Sequence, residues 1–139
     1  MTTSYSVSAT SAPGGAGELS VFGSSIRFDG ASERDGVHPG PAELLCGALA
    51  ACLLKNVERF ASILPFRYSA ASVRVDAVRD EKPPRFSRFH YELRLITPEP
   101  QARVSLLHKN LRKFGTVSGT LQLAAELDGD ILVVESLDD

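Results

Sequence analysis

The segment Pro41-Ala42-Glu43-Leu44-Leu45-Cys46-Gly47-Ala48-Leu49-Ala50-Ala51-Cys52 constrains the fold more than any other part of the chain. It opens at a proline, which suits the first turn of a helix, and stays nearly all apolar to Leu54. One thiol, Cys52, therefore lies about three turns into a helix. The helix is expected to run to about Ile63, where Pro65 stops it. Its second half, Lys55-Asn56-Val57-Glu58-Arg59-Phe60, turns amphipathic and reaches water. A helix apolar on most sides must be covered on most sides. In a chain of 139 residues, that implies a central helix packed against a sheet and a partner, with the thiol between them. A second copy of the chain is the expected partner.

The length fits one domain, residues 1–139, with 1–16 either loosely ordered or an edge strand. The net charge of −2 provides no overall field to recruit nucleic acid or an anionic membrane. The longest apolar run, Leu44 to Leu54, is too short for a membrane span. The stretch from Met1 to Gly17 is rich in Ser, Thr, Ala and Gly and lacks the basic start and apolar centre of a signal peptide. A cytoplasmic protein is expected. Two cysteines in one helix do not make a secreted disulfide framework.

Alternation over Ser4 to Thr10 suggests a first strand, ended by Pro13-Gly14-Gly15. Leu19, Val21, Ile26 and Phe28 bracket Gly23-Ser24-Ser25 as a hairpin. Asp29 to Gly40 reads as a loop long enough to be functional. After the helix, Val73 to Val78 and Phe86 to Leu95 alternate as paired antiparallel strands, joined by a turn over Asp80 to Arg85. Pro98 to Phe114 reads as a second helix with Gly115 as its C-terminal cap. Ser118-Gly119-Thr120 suggests the cap of a third helix, Thr120 to Leu127, for which a strand reading is almost as good. Asp128-Gly129-Asp130 is expected to be a turn before a last strand, Ile131 to Val134. This order gives an α+β fold with an antiparallel sheet.

Cysteine is often buried as plain core, so Cys52 is either an inert core residue or a sheltered reagent, and Cys46 is read as core. Six residues apart on an intact helix, the two lie about 9 Å apart along the axis and about 120° apart around it. A disulfide needs Cα atoms within about 7 Å, so the helix forbids that bond. Glu43, in the first turn, either complements the helix dipole or serves in catalysis. Lys55, one turn beyond Cys52, is near enough to act on the thiol but more often is solvated. His38, His90 and His108 show no metal spacing with each other or with a cysteine, and no metal is expected. Arg103, Lys109, Arg112 and Lys113 read as the solvated face of the second helix. No phosphate loop, dinucleotide fingerprint or hydrolase elbow is present, and no cofactor is expected.

Pro41-x-Glu43-Leu44-Leu45 followed by Ala48-Leu49-Ala50-Ala51-Cys52 resembles the signature of the OsmC/Ohr family, the osmotically inducible and organic hydroperoxide resistance proteins. The hairpin, Gly-rich loop, Pro-turned strand pair and second helix agree in outline over about residues 17–136. The resemblance implies an OsmC-like fold, an intertwined homodimer with the long helices at its centre, and two sites at the subunit interface. It implies that Cys52 is the peroxidatic thiol and that its sulfenic acid forms a disulfide with a second cysteine. That cysteine usually opens a Cys-Pro-Val-like motif after the second helix, where this chain has Gly115-Thr116-Val117-Ser118. The activating Glu that follows the proline in Ohr members is Ala42 here, with Glu43 one position later and about 100° further round the helix. Among arginines of the early strands, only Arg27 is a candidate for the family's activating arginine.

Two readings of function follow. In the first, the chain is a one-cysteine thiol peroxidase of oxidative stress defence, in which Cys52, with Glu43 as a candidate catalytic partner, reduces a hydroperoxide and an external thiol regenerates it. In the second, it is a non-enzymatic member that binds a small apolar molecule at the dimer interface. A reachable, electropositive sulfur favours the first and a sealed apolar one the second.

Overall fold

The computed structural model describes residues 1–138, in two compact units, one Met1–Leu45 and the other beginning at Cys46. In the first unit β1 (Ser8–Ser11), β2 (Ala16–Val21) and β3 (Ser24–Asp29) form an antiparallel sheet in that order. The β2–β3 turn consists of Phe22 and Gly23, both at positive φ (52° and 79°), with Val21 paired to Ser24. Two successive positive φ values give the turn the twist that a two-residue hairpin needs. Ser24 and Ser25, expected in the turn, therefore belong to the strand. Gly17 pairs with Phe28, whose ring lies 2.6 Å from where a Cβ on Gly17 would stand.

The loop that follows is held by two carboxylates. Asp29 accepts from the backbone N–H of Ala31 and Asp35, both at 2.9 Å. Asp35 accepts from the N–H of Val37 (2.7 Å) and His38 (2.9 Å) and meets the His38 ring at 3.0 Å. Short acidic side chains that bind nearby N–H groups are the usual means of ordering such a segment. These bonds, those from His38 first, hold the Asp35 carboxyl down at about 2.

Helix α1 (Pro41–Ile63) has the bounds its sequence predicts. Gly40 is its N-cap, because the Gly40 carbonyl accepts the first helical bond from Leu44 N–H (2.9 Å). Leu49, Leu53, Asn56, Val57 and Phe60 are buried and make one stripe. Gly47, Ala48 and Ala51 are exposed, so this chain alone covers the helix along one side rather than on most sides.

In the second unit β4 (Ala70–Glu81) and β5 (Pro84–Ile96) run antiparallel. Phe89, Tyr91, Leu93 and Leu95 alternate inward and are at most 1% exposed. Helix α2 (Gln101–Phe114) buries Val104, Leu107 and Leu111. Helix α3 (Thr116–Gln122) follows at once, and β6 (Glu126–Val133) returns to pair parallel with β5. The pairing is thus antiparallel throughout except at β5–β6, where two helices provide the crossover that a parallel pair requires.

Two segments depart from what their sequence predicts. Helix α3 begins at Thr116, so Ser118 lies inside it and not at its cap. Asp128-Gly129-Asp130 is not a turn but the middle of β6. Gly129 pairs with Tyr91, and a Cβ there would stand 2.4 Å from the tyrosine ring. Asp128 accepts from the His90 ring (2.8 Å) and from Arg88 (3.3 Å) across the pair. Tertiary contact with β5 overrides the local preference of these residues for a turn.

The same tyrosine reaches α2, where its hydroxyl lies 2.6 Å from His108 Nε2. Burial pushes the Tyr91 phenol up to about 12, so it remains the donor. Burial, followed by the charge of Arg112, holds His108 below the ordinary histidine range, against a smaller opposing pull from Asp130. The unfolded chain therefore binds this proton more readily than the folded one. The contribution is fully favourable above the ordinary value of about 6.5 and is lost as pH falls below it. Urea midpoints measured from pH 7 to pH 5 should fall for the wild-type protein and fall less steeply for His108→Gln.

Candidate active site around Cys52

Cys52 is half-buried on α1. Four residues on, Asn56 occupies the next turn of the same helix, and its Nδ2 donates to Cys52 Sγ at 3.5 Å. Asn56 is only 9% exposed, an amide set within an otherwise apolar stripe. The group beside the sulfur is thus an N–H donor, the kind of partner that suits a sulfur or oxygen atom carrying negative charge.

The junction of α2 and α3 meets this amide. Gly115 lies at φ −71° and ψ 126°, a backbone any residue can adopt, and so is not the left-handed cap its sequence position suggests. Its reason is space. A Cβ there would stand 2.3 Å from Ser118 Oγ, 3.3 Å from the Leu111 carbonyl and 3.5 Å from Asn56 Nδ2. Ser118 is 2% exposed, and its hydroxyl donates to the Gly115 carbonyl at 3.2 Å. Gly115 thus sits against the amide that binds Cys52, with its side-chain space filled by a serine hydroxyl.

Other predicted residues lie as follows. No disulfide joins Cys46 to Cys52, and Cys46 is half-buried. Glu43 Oε1 accepts from the Gly40 N–H at 2.9 Å, the N3-to-N-cap half of a capping box, and Oε2 meets Arg34 Nη2 at 3.1 Å. Arg34, absent from the sequence candidates, is the arginine that holds this carboxylate. Arg27 lies on β3 opposite Glu18. Lys55 is exposed. His38, His90 and His108 pair separately with Asp35, Asp128 and Tyr91. Among the described residues no three His, Cys, Asp or Glu side chains gather as metal ligands. Nor is any helix among them long and apolar enough to cross a membrane.

The basic cluster of α2 divides. Lys109, Arg112 and Lys113 are exposed, as a solvated face should be. Arg103 instead donates to the carbonyls of Leu64 and Pro65 and pairs with Glu99 at 3.5 Å, tying α2 to the end of α1. Its guanidinium satisfies carbonyls that the helix end leaves open.

The sequence does carry a signal for one of the residues that reasoning missed. Asn56 is a polar residue at a core position of the apolar stripe. Ser118 carries none, because a serine beside a glycine after a helix reads more simply as a cap.

The family model for OsmC-like protein matches residues 33–128. Among solved structures, the chain is similar to the OsmC-like protein from Mycoplasma pneumoniae, with a TM-score of 0.88 at 15% identity over 96% of this chain and 99% of that one. It is also similar to an organic hydroperoxide resistance protein OsmC from Legionella pneumophila, with a TM-score of 0.71 at 17% identity over 95% and 98% of the two chains. A third similar structure is the organic hydroperoxide resistance protein OhrB of Bacillus subtilis, with a TM-score of 0.66 at 16% identity over 91% and 98%. No curated protein matches the sequence. At these identities the structural likeness establishes the fold.

The crowding at residue 115 can be tested directly. Gly115→Ala should lower stability by about 1–3 kcal/mol, the usual effect of forcing atoms into filled core. The added Cβ meets Ser118 Oγ first, so adding Ser118→Ala should recover part of the loss, measured as urea-unfolding free energies in a double-mutant cycle.

Proposed function

This chain belongs to the OsmC-like protein family, and we propose that it is a one-cysteine thiol peroxidase that reduces organic hydroperoxides in oxidative stress defence in the cytoplasm. The observation that carries the reading is the half-buried Cys52 sulfur with a buried amide N–H directed at it. Two of the similar structures are organic hydroperoxide resistance proteins, which supports the same chemistry.

In the first step the Cys52 thiolate attacks the distal oxygen of the hydroperoxide. An S–O bond forms and the O–O bond breaks; sulfur is oxidised by two electrons, and the alkoxide leaves and takes up a proton as the alcohol. With glycine at 115, no second thiol stands there to condense with the sulfenic acid. A small external thiol therefore attacks the sulfenic sulfur, releasing water and leaving a mixed disulfide. A second such thiol then frees Cys52. Glu43 serves this site by fixing the start of the helix that carries the thiol, through its bonds to Gly40 and Arg34. A pair as exposed as Arg34 and Glu43 adds little stability by itself.

The active form is a homodimer. The exposed Gly47, Ala48 and Ala51 on α1 support this, since apolar surface on a helix this poor in charge is poorly suited to water. Light scattering at micromolar concentration should give twice the chain mass of 14.9 kDa, and a stable monomer would reject the assembly.

The activity is tested by mass spectrometry. Reduced protein treated with cumene hydroperoxide should gain one oxygen at Cys52, and turnover should require an added dithiol such as dithiothreitol. Without a reductant, excess peroxide should drive Cys52 to sulfinic acid. Cys52→Ser should abolish turnover, whereas Cys46→Ser should retain it. Undiminished turnover by Cys52→Ser, or no oxidation of Cys52 in the wild-type protein, would reject the reading in favour of a binding protein for small apolar molecules.

A further inference from the structure

We propose that Asn56 is a working part of the thiol site, its amide holding the Cys52 sulfur through N–H donation and then the oxygen of the sulfenic product. The redox part of this inference rests on the peroxidase reading, whereas its effect on thiol reactivity does not.

Three observations carry it. Asn56 is the buried polar side chain of the α1 stripe, at 9% exposure among Leu49, Leu53, Val57 and Phe60, where an apolar residue would be the ordinary occupant. An amide in such a place costs free energy unless its polar atoms are engaged, and its Nδ2 is engaged by the Cys52 sulfur at 3.5 Å. The side chain is also backed by the α2–α3 junction, because the vacant Cβ position of Gly115 lies 3.5 Å from the same nitrogen. Ser118 fills the rest of that space, its hydroxyl spent on the Gly115 carbonyl. Gly115 and Ser118 therefore give the amide room and a wall.

A side-chain amide carries two N–H donors and remains neutral at every pH of interest. Hydrogen bonds to a charged partner contribute more than those to a neutral one. The amide therefore holds the attacking sulfur through its N–H. When the S–O bond has formed, the same donors face the new oxygen. No disulfide step follows at residue 115, so the sulfenic acid must wait for a thiol from solvent. A donor on its oxygen holds the oxidised side chain in one orientation while it waits.

The test uses two variants of similar size. Asn56→Leu keeps the branched side chain and removes both donors; Asn56→Asp keeps the shape and presents acceptors to the sulfur. Alkylation of Cys52 by iodoacetamide and oxidation by cumene hydroperoxide are followed by mass across pH 5–9, with thermal melts as the control for folding. Both reactions should slow by about ten- to a hundredfold at neutral pH in each variant, with a rate–pH profile that differs from the wild-type one. Wild-type rates and profiles in either variant, with its melt intact, overturn the proposal. Should both variants unfold, the wild-type side-chain amide protons of Asn56 decide. Their NMR resonances should move when Cys52 is alkylated, and unmoved resonances overturn the proposal. If the wild-type protein is inert to peroxide while the alkylation arm responds to substitution, the peroxidase reading fails and the role of Asn56 in holding the thiol stands.

Discussion

The packing of α1 against the junction of α2 and α3 depends on the missing side chain at Gly115. Its backbone angles are open to any residue, so what excludes a larger one is contact: a Cβ would reach Ser118 Oγ at 2.3 Å and the Leu111 carbonyl at 3.3 Å. The buried faces of these helices are apolar. Leu49, Leu53, Val57 and Phe60 contribute from α1, Val104, Leu107 and Leu111 from α2, and the rings of Phe60 and Phe114 meet at 5.8 Å. Two polar side chains, Asn56 and Ser118, are thus set inside a hydrophobic contact. Such groups persist in a core only when hydrogen-bonded. Ser118 turns to the Gly115 carbonyl and Asn56 to the Cys52 sulfur. The thiol is therefore part of how the core satisfies its own polar atoms, which couples the packing of the fold to the state of that sulfur.

The same relation between glycine and a large neighbour recurs in the sheets. Gly17 lies beneath Phe28 in the first, and Gly129 beneath Tyr91 in the second. In both, the glycine and the aromatic residue are direct cross-strand partners, so the ring covers a backbone that has no side chain of its own. This explains which parts of the fold were legible in the sequence. The bounds of α1 follow from Pro41 and Pro65, and the alternation of Phe89, Tyr91, Leu93 and Leu95 marks β5. Both are signals that a residue's near neighbours supply. Asp128-Gly129-Asp130 has the composition of a turn, and only its partners on β5 make it a strand. Those partners, His90 and Tyr91, stand 38 residues before Asp128 and Gly129 respectively. No local window contains that information.

The site divides in the same way. Cys52 stands out because it interrupts a run of small apolar residues, and Glu43 because it lies in a first helical turn. Asn56 falls in the amphipathic second half of the helix, where Lys55, Glu58 and Arg59 around it do face water. Its burial becomes evident only when Leu49, Leu53, Val57 and Phe60 are seen to form the stripe that contains it. Arg34 lies in a loop ordered by Asp29 and Asp35, where no periodicity predicts which side chain meets Glu43. Gly115 and Ser118 each suggested a helix cap, and each serves a close approach instead.

The angular position of Cys52 on α1 would link the proposed chemistry to the proposed assembly. At about 100° per residue, Cys52 lies about 60° to one side of Leu49 and so at the margin of the buried stripe. On the same rule Ala48 and Ala51 lie further round on that side, and both are exposed. The sulfur therefore stands at the boundary between a covered side and an open one, which agrees with its half-burial. On the inner side it meets Asn56. On the outer side the neighbouring residues are small enough for another helix to approach closely, because interaxial distance is set by the side chains at the contact. A second chain seated there would form the outer wall of the thiol's surroundings. It would also restrict which molecules reach the sulfur, so selectivity would reside in the partner's surface as well as in this one. The inner wall, made by Asn56, Gly115 and Ser118, belongs to a single chain. Control of reactivity and control of access would thus fall to opposite sides of one helix.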